Sequence, residues 1–110
     1  MKKLTVNYVL LLILIHLTGH AAANQSEDVY VQACYVCHGD DGSGSMPGVP
    51  DLRNSKTLFT EQEEIIVTRL KAGITVPGGI SMPPGGGNPD LTDDELLNVL
   101  RYVKQLVKNN

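Results

Sequence analysis

Both cysteines of the chain lie in the run Cys34-Tyr-Val-Cys37-His38, within the stretch "QACYVCHGDDGSG" from residue 32 to 44. His38 is also the only histidine beyond residue 20. Two thiols three positions apart, with an imidazole beside the second, have a short list of chemistries. They could close a small disulfide, cycle as a redox dithiol or ligate a metal. They could also make two covalent bonds to a larger group whose own metal the imidazole holds. On a helical turn, positions i and i+3 share a face, so both sulfurs can reach one flat partner.

The candidates differ in what else they require. Structural zinc needs four protein ligands, and Cys34, Cys37 and His38 are the only strong donors once the first 23 residues are set aside. A thioredoxin-like dithiol needs a βαβ setting, and no strand signal of any strength is present. C-x-x-C-H, by contrast, is the pattern of covalent haem attachment, with thioethers at Cys34 and Cys37 and the iron on His38. A second axial ligand is then sought by elimination. His16 and His20 sit in the N-terminal segment, which leaves Met46, Met82, three tyrosines (Tyr30, Tyr35 and Tyr102) and the lysines. Met46 follows His38 by only eight residues, too few to round a porphyrin edge easily. Met82 lies in "SMPP", where Pro83 and Pro84 stiffen the backbone around it. Met82 is the expected ligand, with Met46, a lysine or water as the competing choices.

Three helical segments are expected to position these groups. The first runs from about Ser26 to Tyr35, with Val29, Tyr30, Ala33 and Cys37 recurring at spacings of three and four. The second opens on the capping box "TEQE", Thr60 to Glu63, continues through Ile65, Ile66 and Leu70, and stops at Gly73. The third opens on "TDDE", Thr92 to Glu95. It places Leu96, Leu100, Val103 and Val107 on one stripe, with Arg101, Lys104 and Lys108 towards its negative end. Between them, "GDDGSGSMPGVPDLRNS" and "GITVPGGISMPPGGGNPD" hold all six prolines and nearly every glycine. Loops so long in so small a domain are functional or disordered, and these make sense wrapped around something large and rigid.

The opening "MKKLTVNYVLLLILIHLTGHAAA" has the three-part layout of a secretory signal: Lys2 and Lys3, an apolar core, and small residues at Ala21, Ala22 and Ala23. A membrane span needs about 20 apolar residues, and this core is shorter, so residues 1–23 are expected to be cleaved rather than kept as an anchor. Residues 24–110 then form a single domain, exported to a bacterial periplasm, with no stable membrane insertion. Losing Lys2 and Lys3 lowers the formal charge from −3 to −5. That balance argues against nucleic acid as a partner. A domain this small, without Trp and with one Phe, has little core of its own.

Together these residues resemble a class I cytochrome c of the short bacterial type, a monohaem family, over nearly all of residues 24–110. "YVQACYVCHGDDGSG" is similar to the family's attachment helix, with an aromatic, Tyr30, four residues before the first cysteine. "GVPDL" resembles the family's Pro-x-Leu, Pro50 and Leu52. There the resemblance implies that the Pro50 carbonyl accepts from His38 Nδ1–H. "SMPPGGGNPDLTDDELLNVLRYVKQL" resembles the methionine loop and C-terminal helix. The resemblance also pairs Tyr30 with Tyr102 and Val99 where the first and last helices cross, with Ser26 in place of the family's usual Gly. Without Trp no propionate contact carries over, and Arg53 and Lys56 are the candidates.

The implied fold is all-α, three to four helices around one haem c. The implied function is non-catalytic: a monomer carrying single electrons between redox proteins such as a dehydrogenase, a reductase or a terminal oxidase. A haem enzyme or gas sensor with an open sixth position is the competing function, and it would want distal acid–base groups, for which residues 24–110 hold no second histidine. A subunit whose haem merely staples the fold is a third. The haem edge is expected beside Tyr35, Val36, Gly78, Gly79, Ile80, Pro83 and Pro84, none of them charged.

Overall fold

The computed structural model describes residues 23–110, so the export signal expected over residues 1–23 lies, apart from Ala23, outside the described residues. Helix α1 covers residues 23–33, α2 is Tyr35–His38, α3 Lys56–Thr60, α4 Glu63–Ala72 and α5 Asp93–Asn109. Single 3-10 turns lie at Leu52–Asn54 and Pro84–Gly87. Extended pairing among the described residues is confined to one isolated antiparallel bridge, Ile74 with Met82. The all-α expectation holds, with five α-helices among the described residues where three or four were expected.

Helix α5 organises the rest. Thr92 caps it: its Oγ1 accepts from the Glu95 N–H at 3.2 Å, while the Glu95 carboxylate accepts from the Thr92 N–H at 2.8 Å. That reciprocal box satisfies two donors the helix would otherwise leave unpaired. Asp93, Asp94 and Glu95 in the first turn oppose the positive end of the helix dipole. Leu96, Val99, Leu100, Val103 and Val107 form a buried stripe at helical spacing. Tyr30 of α1 packs on it, its ring 5.4 Å from that of Tyr102 and inclined at 50°, in the core that also holds Val99. Ser26 is buried in α1, as a small residue at a close crossing should be. Helix α4 adds Ile66 and Val67 to the same core, and its Glu63 carboxylate takes Arg101 Nε and Lys104 Nζ of α5, each at 2.9 Å. Lys71 at the other end of α4 pairs with Asp93.

Two boundaries differ from the sequence expectation. The first helix includes residues 23–25, ahead of the expected start at Ser26, and it breaks at Cys34, whose φ and ψ of −120° and −38° separate α1 from α2. The "TEQE" box does not form. Thr60 closes α3 instead of opening α4, and its hydroxyl turns back to donate to the Lys56 carbonyl at 3.1 Å. Ser55 is the cap that works here, accepting from the Leu58 N–H at 3.3 Å. Burial of Leu58 favours that extra turn and draws Thr60 into it. Helix α4 starts after Gln62 without a side-chain cap.

Candidate functional site

Cys34 stands between α1 and α2, and Cys37 and His38 lie on the single turn of α2. The turn is closed tightly: the Cys34 carbonyl accepts from the N–H groups of Cys37 and His38 at 3.2 and 3.0 Å, and the Tyr35 carbonyl from Gly39 at 2.8 Å. The chain then folds back, Gly44 N–H donating to the His38 carbonyl at 3.0 Å and Ser45 N–H to that of Cys37 at 2.8 Å. This puts the whole motif on a scaffold its own backbone supplies. Leu52, expected beside the site, is half-buried against the core, and its N–H donates to the Gly42 carbonyl at 2.8 Å.

The thiols are not joined to each other. Burial first, and then the neighbouring Cys37, pushes the Cys34 thiol up to about 11. A redox dithiol needs a depressed value to hold thiolate at neutral pH, so the environment is the opposite of what that chemistry wants. Nor do Cys34, Cys37 and His38 converge as zinc ligands would: among the described residues no group of three or more His, Cys, Asp or Glu is arranged to hold a metal ion. Burial lowers the His38 pKa below its ordinary value, keeping the imidazole neutral, the form that can donate to a metal.

His38 Nδ1 is the one buried side-chain polar atom among the described residues without a hydrogen-bond partner. The bond expected from it to the Pro50 carbonyl is therefore not made here. Pro50 is exposed and its carbonyl lies near Gly44. Arg53 is committed as well, its guanidinium on Asp51 at 2.9 Å and Asp41 at 3.0 Å, which ties the segment after His38 to the one after Pro50. Asp51 also caps the Leu52–Asn54 turn. Lys56 remains exposed.

Met82 lies in the loop that follows α4, paired with the residue just beyond that helix. Its N–H and carbonyl exchange hydrogen bonds with Ile74, both at 2.9 Å. Gly73 makes this possible: at φ +80° a Cβ there would lie 2.8 Å from the Met82 carbonyl oxygen. Beyond the two prolines, Gly86 passes so close to α1 that a Cβ would meet the Ala33 carbonyl oxygen at 2.4 Å. Ala33 immediately precedes Cys34, so the segment after Met82 passes close to the start of the attachment motif. The Ile80 side chain lies against Gly48, and there the two long loops meet. Sequence reasoning missed Gly73 and Gly86 as positioning residues. Their signal was local, a Gly ending a helix and a Gly triplet, but the atoms they make room for are distant in sequence.

The donor set fits covalent haem. Both thiols and the imidazole lie within five consecutive residues at and on one helical turn, the Gly86 loop passes beside Ala33 just before them, and neither zinc nor dithiol chemistry suits them. Met46, Ile74, Val76 and Ile80, all in the two long loops, leave large apolar side chains in water, surface that an apolar macrocycle would cover.

The chain's similarities to known proteins point the same way. The family model for cytochrome c matches residues 23–107. The chain is 25% identical over 93 residues, 79% of its length, to the cytochrome c subunit of a quinone-type alcohol dehydrogenase from Gluconacetobacter polyoxogenes, covering 19% of that protein. The same subunit from Komagataeibacter europaeus matches equally, and the CcoP subunit of a cbb3-type cytochrome c oxidase from Rhodobacter capsulatus is 29% identical over 91 residues, with 30% of it covered. The chain thus spans 19–30% of the length of these relatives. No solved structure matches it. With the attachment turn, the apolar loops and the match along residues 23–107 agreeing, the chain belongs to the cytochrome c family and carries covalently attached haem c.

Proposed function

We propose that the protein is a single-electron carrier, with Cys34 and Cys37 as thioether anchors and His38 and Met82 as the two axial ligands. One observation supports this reading: the loop that carries Met82 is held to the end of α4 at Gly73 and passes beside Ala33, next to Cys34, at Gly86. Bound haem supplies the chemistry, a one-electron ferrous–ferric couple whose potential a Met/His pair raises. The chain's own residues do the rest. Cys34 and Cys37 fix the group, α2 orients His38, and the Ile74–Met82 bridge with Pro83 and Pro84 holds the sulfur. With His38 and Met82 both holding the iron, the bound group would offer no open position to a substrate, and the protein would act by exchange with partners rather than by catalysis.

Export to the periplasm and a monomeric state belong to the same reading. The names of the relatives support partners among dehydrogenases on the donor side and terminal oxidases on the acceptor side. The surface suits brief docking at an uncharged edge. Tyr35, Val36 and Ile80 are large, apolar and exposed. Many of the acids are held internally: Glu61 by Arg69, Glu63 by Arg101 and Lys104, and Glu95 in its cap. Redox complexes typically bury less than about 1,200 Å². A potentiometric titration of the purified protein, followed optically, should be reversible with one electron per chain, and the ferrous form should not bind carbon monoxide. Rapid carbon monoxide binding by the wild type would indicate an open sixth position and favour a sensor or enzyme instead.

A further inference from the structure

Along the attachment segment the carbonyls of Cys34, Tyr35, Cys37 and His38 all accept from backbone N–H groups. The next carbonyl, that of Gly39, is supplied differently. Its donor is the Tyr30 hydroxyl, at 2.6 Å, from a side chain 2% exposed in the α1–α5 core. Gly39 is itself buried and peptide-bonded to His38, so an unmatched carbonyl there would find no water to replace the phenol. The ring that carries this hydroxyl is wedged against Tyr102, which leaves it little freedom to move away.

We infer that Tyr30 is a positioning residue for the axial histidine: its hydroxyl anchors the Gly39 carbonyl and so couples the α1–α5 crossing to the orientation of the His38 imidazole. This rests on His38 being an axial ligand. A phenylalanine would fill the same core volume, so packing alone does not account for the hydroxyl, whereas a carbonyl one residue from the ligand does. Burial raises the phenol's pKa to about 12, which keeps it a donor throughout the physiological range. The effect on the iron is indirect. With the Gly39 carbonyl fixed, and the Gly44 N–H on the carbonyl of His38, the peptide that carries the imidazole is held on both sides.

The test compares haem-loaded wild type with Tyr30→Phe and Tyr102→Phe. Two quantities are read: the spread of haem methyl shifts in the ferric NMR spectrum, which follows the plane of the axial imidazole, and amide exchange at Gly44 and Ser45. Tyr30→Phe should change the methyl pattern and accelerate exchange at both amides at least about fivefold, while leaving Leu100 in α5 unaffected. Tyr102→Phe, which keeps the Tyr30 hydroxyl, should do neither. An unchanged pattern and unchanged exchange in Tyr30→Phe would overturn the inference, as would equal changes in the two variants. A wild-type spectrum without histidine-ligated iron would instead remove the axial assignment, and the inference with it. Should Tyr30→Phe fail to mature, the wild type decides. A slowly exchanging Tyr30 hydroxyl proton coupled to the Gly39 carbonyl carbon supports the anchor, and a rapidly exchanging one overturns it.

Discussion

From Cys34 to Leu52 the chain is fixed at short intervals, by backbone hydrogen bonds at Gly39, Gly44, Ser45 and Leu52 and by the Tyr30 hydroxyl from the core. From Gly73 to Asp90 it is fixed mainly near its two ends. Ile74 and Met82 pair at one end and Gly86 meets α1 at the other, and every residue from 74 to 81 is exposed. Within that span only a turn, Gly79 N–H to the Val76 carbonyl at 3.1 Å, and a Ser81 hydroxyl on Val76 N–H hold the backbone. The histidine side is therefore pre-set by its own segment, while the methionine side is a flap whose position depends on two glycines and the helices that carry them. Segments with few buried contacts and exposed hydrogen bonds open first, so the sixth ligand should be the exchangeable one.

The largest effect should come from breaking the rigid side. Cys34→Ser combined with Cys37→Ser removes both anchors. The protein should lose covalent haem completely and, with it, most of what a domain this small has for a core. Denaturing mass spectrometry checks this: the wild-type polypeptide should keep the haem mass, and the double variant should not.

Gly73→Val attacks the flap alone. Its Cβ would have to sit 2.8 Å from the Met82 carbonyl oxygen at φ +80°, a strain of about 1–3 kcal/mol before any contact is counted. Covalent haem should survive. The ferrous protein should now bind carbon monoxide, which separates the two sides in a single spectrum.

A smaller change concerns the frame around the flap. Thr92 caps α5 directly after the methionine loop, and Thr92→Ala should cost about 1 kcal/mol in denaturant unfolding. Thr60→Ala, at the end of α3, should stay within about 0.5 kcal/mol, because no helix start depends on it. Equal losses would restore the capping box that the structure lacks.

The smallest effect is one of pH. The hydrogen bonds from Lys104, and then Arg101, lower the Glu63 pKa below its ordinary 4.5. A carboxylate depressed in the folded state contributes stability that is complete above its unfolded value and lost as pH falls through its folded value. The gap between wild type and Glu63→Gln should therefore be steady above about pH 4.5 and narrow below it. A gap that widens on acidification would contradict the pairing of α4 with α5.

The elements that proved legible in the sequence are those whose signals are local. Thr92 and Glu95 are three residues apart, the α5 stripe repeats within one helix, and Cys34, Cys37 and His38 are nearly contiguous. "TEQE" was local too, and misleading: Thr60 could cap α4 or close α3, and a buried Leu58 decided for the latter. What could not be read is non-local. Nothing near Tyr30 says that its hydroxyl meets Gly39, nothing near Gly86 says that Ala33 is its neighbour, and Arg53 could not be known to be held by Asp41 and Asp51. The Pro50 expectation came from resemblance, and here the His38 Nδ1 stands without that partner.

The choice of thioether tests the account most directly. Met46 and Met82 sit in the two loops that meet at Gly48 and Ile80, and Met82 is the one proposed as the second ligand. The weak long-wavelength charge-transfer band of thioether-ligated ferric haem should be present in the wild type and in Met46→Ala. It should vanish in Met82→Ala, together with a fall in potential and the appearance of cyanide binding. A band that survives Met82→Ala and disappears in Met46→Ala would contradict the assignment and the picture of a hinged methionine side built on it.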